Sequence, residues 1–225
     1  AVSNPDIAAK AAADEKIAEL KIDFESTKAE VAKAPESVQN LVKDDITILQ
    51  EKIDAIDAAL AQDVTNGDVA ANTETREAAI NEAASLIAAL NTKLSDAKAA
   101  YEANEKQHTA DLAAIEEVKK ALEAAKTEIA EMAESVQTLV AEDITAAETA
   151  VEALTTAAEA SYAAGTSVAD AEKLAADIEA AKAQIEALKQ KATEAQGAYD
   201  ANEKQHTADL AAIAEVQKTL EAAKA

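Results

Sequence analysis

Residues 103–115 read ANEKQHTADLAAI, and residues 201–213 read ANEKQHTADLAAI again, 98 residues on. The same offset links Tyr101 with Tyr199, Ser37-Val38-Gln39 with Ser135-Val136-Gln137, Asp45-Ile46-Thr47 with Asp143-Ile144-Thr145, and Gly67 with Gly165. One register fits every pair, so a whole unit has been duplicated. Repeats of this kind build objects whose work is geometric and assembling rather than catalytic.

Outward from the repeated stretch, apolar residues keep a three-four spacing. They fall at Ile80, Ala83, Ile87, Leu90, Leu94, Ala97 and Tyr101, and resume at Ile115, Val118, Leu122, Ala125, Ile129 and Met132. This is a heptad. Only Asn104, His108 and Asp111 interrupt it, and the frame carries through them. The second copy does the same, with Asn202, His206 and Asp209 as the interruption. The spacing therefore predicts one unbroken helix through each junction, roughly 90 Å long at about 1.5 Å per residue. The polar residues are expected at a thinly covered handover between units, where they cost little.

Composition agrees. Aromatics are 2% of 225 residues, with one Phe and no Trp, whereas 49% is apolar, much of it alanine, the best helix former. Three Gly and two Pro leave few places to break a helix. Pro35 ends a first helix, Glu134-Ser135 marks the equivalent turn without a proline, and Asp63–Asp68 and Ala163–Ser167 read as loops. The expected class is all-α: elongated tandem three-helix antiparallel coiled-coil bundles with long shared helices. Helices are expected at 6–34, 36–62, 72–100 running on into 101–133, 135–161, and 169–197 running on into 198–225. That makes 1–100 and 101–197 two repeats and 198–225 the terminal helix of an incomplete third. As architecture alone, the shared helix resembles the spectrin-repeat plan.

The net charge of −23 argues against nucleic acid and against anionic membrane surfaces. No apolar run reaches membrane-spanning length, so no membrane insertion is expected. Cysteine is absent, which removes disulfides and thiolate metal sites. The first residues are Ala1-Val2-Ser3 and the only Met is Met132, which reads as a processed mature chain or an excised fragment.

His108 and His206 each stand between a Glu three residues before and an Asp three residues after. One helix cannot converge the three or four ligands that a transition metal needs. No nucleophile elbow, phosphate loop or paired serine occurs, so no catalytic residue and no enzyme activity is assigned. Carboxylates cluster at Asp44, Asp45, Asp54, Asp57, Glu128, Glu131, Glu134, Glu142 and Asp143. Without a calcium-binding loop motif these are candidates only for weak, multi-point calcium binding, and no other cofactor is expected. Leu210, Ile213, Val216 and Leu220 would form an uncovered stripe on the last helix. Burial is worth about 1.5–3 kcal/mol for each such side chain, so that helix is expected to dock against another molecule. The expected partners are the chain itself or paralogous coiled-coil proteins.

The stretch YEANEKQHTADLAAIEEVKKAL, Tyr101–Leu122, resembles a recurring segment of trichocyst matrix proteins, the acidic helical proteins of protist extrusomes. The shared features are the aromatic-Glu start and the His four residues before Leu-Ala-Ala-Ile. LVAEDITAAETAVEALTTAAEASY, Leu139–Tyr162, is similar too, although the first copy has Val64 where the closing aromatic would stand. The resemblance implies a processed secretory-granule or extracellular protein that packs in a crystalline matrix and responds to calcium. The YEAN…ADLAAI stretch also resembles the alanine-rich helical stalks of streptococcal adhesins, which implies a passive spacer.

Overall fold

The computed structural model describes residues 4–224. Nearly all of them lie in five α-helices: α1 Asn4–Ala32, α2 Glu36–Asn66, α3 Thr73–Ala130, α4 Glu134–Ala164 and α5 Ser167–Lys224. No strand occurs among the described residues. The chain is all-α, as its alanine content and heptads require. The helices α3 and α5 are each 58 residues long, and neither breaks at Asn104 or Asn202.

Two compact units divide at Ala103/Asn104. The core of the first draws on three helical segments: α1 with Ile17 and Phe24, α2 with Val42 and Ile53, and the first part of α3 with Ala83 and Leu90. Ion pairs fix the directions. Lys21 of α1 meets Asp57 of α2, and Lys28 reaches Gln50, so those two helices run oppositely. Lys16 meets Glu77, and Glu30 meets Lys98 at 3.8 Å, so α1 and α3 run the same way. The second unit is built likewise from the last part of α3 (Ile115, Leu122), α4 (Val140, Leu154) and the first part of α5 (Leu174, Leu188).

The duplication extends to single contacts. Lys93 pairs with Asp45 at 2.6 Å, and Lys191 pairs with Asp143 at 2.6 Å. Each is exposed and worth about 0–1 kcal/mol, so it marks register more than it adds stability. Lys126 bridges Glu148 and Glu123, whose carboxylates push its ammonium up to about 12.

The turns show why Ser-Val-Gln recurs. Gln39 Nε2 donates to the carbonyls of Ala32 (3.4 Å) and Ala34 (2.7 Å), and Gln137 Nε2 to those of Ala130 (3.1 Å) and Met132 (2.7 Å). Both glutamines thus satisfy carbonyls orphaned at a helix end. Pro35 has φ −54° and ψ 149°, and Ala133 has φ −56° and ψ 143°. The second turn therefore takes the same backbone without proline. At the other ends, Gly67 (φ 78°) and Gly165 (φ 73°) occupy the left-handed region and close the helices.

The expected loop at Asp63–Asp68 needs correction, because α2 continues to Asn66. The helix runs on until Gly67, whose left-handed backbone caps it, and Asp63 in its last turn pairs with Arg76. The second loop is also shorter than expected, with α4 reaching Ala164 and α5 starting at Ser167.

Candidate functional site

The repeated stretch ANEKQHTADLAAI has two different surroundings. In α3 its polar residues are covered. Asn104 and Asp111 are buried, and the His108 side chain is only 12% exposed. This corrects the reason expected for the interruption: the polar residues are not left in a thin handover, since Asn104 meets the end of α4 and the start of α5 and His108 packs on α4.

Asn104 works as a clasp. Its Nδ2 donates to the carbonyl of Tyr162 at 3.2 Å, and its Oδ1 accepts from the backbone N–H of Ser167 at 2.8 Å. The first bond meets the end of α4, where the Tyr162 carbonyl also accepts from the Gly165 N–H, and the second the start of α5, where the first N–H groups of a helix have no partner within it. Gly165 makes this possible by turning the chain between them. His108 stacks on Tyr162, with ring centroids 4.3 Å apart and planes 15° apart, and its Nε2 lies 3.7 Å from Glu159. The Tyr162 hydroxyl donates to Glu105. Asp111 accepts from Gln107 at 2.8 Å. Hydrogen bonds from Thr166 and Ser161 hold the Asp170 carboxyl below its ordinary value and tie the loop to α5.

In α5 the same sequence touches none of this. Every residue from 197 to 224 is exposed. Leu210, Ile213 and Leu220 are each a little over half exposed, and Val216 is 68% exposed. Asn202, His206 and Asp209 lie open as well, Asp209 accepting only from Gln205 of its own helix.

The carboxylate candidates are scattered. Asp45, Asp57, Asp143 and Glu128 already pair with Lys93, Lys21, Lys191 and Lys189. Asp54 accepts from Gln50 at 2.9 Å. Asp44, Glu131, Glu134 and Glu142 are exposed. Among the described residues no three His, Cys, Asp or Glu side chains converge in a group that could hold a metal ion.

The first unit holds a polar centre that the sequence reading missed. Arg76, the single arginine of the chain, is buried and donates to Asp63 at 2.6 Å and to the Val69 carbonyl at 2.8 Å. Asn72 completes it with a 2.7 Å bond to the other Asp63 oxygen. The signal was available: a lone guanidinium 13 residues beyond an aspartate at a helix end. A cleft of about 380 Å³ between α2 and α3 opens onto this centre, with Lys52 and Glu82 paired at its rim. Its charged groups are satisfied by one another, so it presents a clasp for α2 and α3 rather than poised acid–base chemistry.

No family model, curated protein or solved structure matches the chain. No helix among the described residues is long and apolar enough to cross a membrane.

Proposed function

We propose that this chain is a non-enzymatic structural protein, built of tandem three-helix antiparallel coiled-coil repeats on a spectrin-like plan, that packs with itself or with paralogous coiled-coil chains. The setting that fits best is a secretory-granule (extrusome) matrix whose packing responds to calcium. One observation carries this reading: the unit is made twice, down to its turns and the Lys93–Asp45 and Lys191–Asp143 pairs, and both copies turn the same leucine outward. Leu41 and Leu139, one repeat apart, are 56% and 54% exposed. A single exposed leucine is ordinary. The same leucine outward in both copies, on an acidic surface, provides a periodic contact for a lattice. Repulsion from the net charge of −23 opposes side-by-side packing, and divalent cations relieve it by bridging carboxylates.

Light scattering and helical circular dichroism, recorded together as calcium is raised, test the proposal. Millimolar calcium is expected to bring molecules together while the helical signal stays constant. Replacing both leucines, Leu41→Glu with Leu139→Glu, is expected to suppress the assembly. No calcium-dependent scattering at either low or moderate salt would leave the passive stalk as the better reading.

A further inference from the structure

Residues 199–224 repeat 101–126 with four differences: Asp200 for Glu102, Ala214 for Glu116, Gln217 for Lys119 and Thr219 for Ala121. None falls where the α3 copy is buried; three of the α3 positions are exposed and Lys119 is half-buried. Every position that α3 buries in this stretch, from Asn104 to Ala125, is unchanged in α5, although nothing within the chain covers it there.

The helix α1 supplies the contrast. It takes the corresponding place in the first unit, but Asp6 and Lys10 stand where α3 has Asn104 and His108. The hairpin it packs against differs in step, with Val64 and Val69 in place of Tyr162 and Ser167. Asp6 there accepts from the N–H of Ala70 at 2.9 Å, a different solution to the same junction. Within this one molecule, then, the helix sequence matches the hairpin it meets: Asn and His go with Tyr and Ser, and Asp and Lys go with two valines.

We propose that residues 198–224 are the third helix of a bundle whose other two helices form a hairpin with the chemistry of α4–α5. That hairpin carries an aromatic side chain three residues before a left-handed glycine, to stack on His206. It also carries a backbone N–H two residues after that glycine, to bond Asn202. Its apolar seam covers Leu210, Ile213, Val216 and Leu220. The hairpin belongs to another helical repeat whose own third-helix place is open; the α4–α5 hairpin of a second copy is already filled by its own α3. This deepens the structural reading above and rests on it in that the partner is a further repeat. The experiment below reads protection within one chain, so its failure is distinct from a failure to assemble with calcium.

The test appends residues 128–197 directly after Ala225, which keeps the repeat register, and follows amide hydrogen exchange. Protection over 202–220 is expected to rise about a hundredfold over the unextended chain, because those amides move from an uncovered helix into a packed one. A second extension carries Val at the place of Tyr162, and a third carries residues 30–99, the α2–α3 hairpin. Both are expected to protect markedly less. Unchanged exchange over 202–220 overturns the proposal, as does an appended hairpin that stays unprotected itself. Equal protection by all three extensions overturns the assigned chemistry. Concentration-dependent protection of 198–224 in the unextended chain identifies a second copy as the occupant, which also overturns it.

Discussion

His108 and His206 are one residue of the repeat in two surroundings, and they separate what a side chain is from what its neighbours make of it. His108 stacks on Tyr162, whereas His206 lies open. Stacked ring pairs contribute about 0.5–1.5 kcal/mol beyond the area they bury. His108→Ala is therefore expected to lower stability by about 1 kcal/mol or more in urea unfolding, and His206→Ala to change it by less than about 0.5 kcal/mol. Equal effects would mean that the stack contributes nothing. Arg76 tests the other polar centre. Its side chain is 4% exposed and that of Asp63 is 12% exposed, so removing one partner strands a buried charge. Arg76→Ala is expected to cost about 3 kcal/mol. The second unit has Ser161, Asp170 and Leu174 at the positions of Asp63, Asn72 and Arg76. Combining Asp63→Ser, Asn72→Asp and Arg76→Leu with Asp68→Thr, for the Thr166 that bonds Asp170, transplants that arrangement and is expected to recover to within about 1 kcal/mol of the parent by the same measurement.

At the scale of the helix, the glycines differ in sign. Gly67 and Gly165 hold positive φ, and nothing lies near a built Cβ, so only backbone strain opposes a side chain. Gly67→Ala and Gly165→Ala are each expected to destabilise by about 1 kcal/mol. Gly197 lies inside α5 in open space without positive φ, and the first copy has Ala99 at that position. Gly197→Ala is expected to stabilise its helix by about 0.5–1 kcal/mol, seen as slower exchange around residue 197. The helix α3 makes a stronger demand, because it runs from Thr73 to Ala130 without a break. Proline at position 103 removes an internal hydrogen bond and clashes with the carbonyl four residues before it. Ala103→Pro is expected to cost about 3 kcal/mol and to lose exchange protection at 99–104. Unchanged protection there would contradict a continuous helix.

For the whole molecule, charge and repetition dominate. Lysines are spent largely on ion pairs within the chain, so the excess carboxylates face water and give a sequence pI near 4.4. If bridging by divalent ions drives packing, sodium chloride at equal ionic strength screens the repulsion without linking molecules. Scattering is then expected with calcium and not with the matched sodium salt. Equal scattering in both would reduce the effect to screening.

The heptads, the scarcity of Gly and Pro and the exact 98-residue offset determined by themselves that the chain is all-helical, that its long helices pass unbroken through the polar interruptions, and near which residues the chain turns, though not where each helix ends. Those features depend on neighbours a few residues away, which the sequence lists in order. Other features depend on residues distant in the chain. Whether Asn104 and His108 sit in a thin junction or a closed one could not be read from the heptad, because the groups that meet them come from Tyr162 and Ser167. The buried pair of Asp63 with Arg76 was hidden in the same way, since its arginine lies on the next helix. Only the tertiary structure decided that Asn104, Asp111 and Ile115 are core in α3 while the identical Asn202, Asp209 and Ile213 are surface in α5, since burial belongs to what packs against a residue and not to the residue itself.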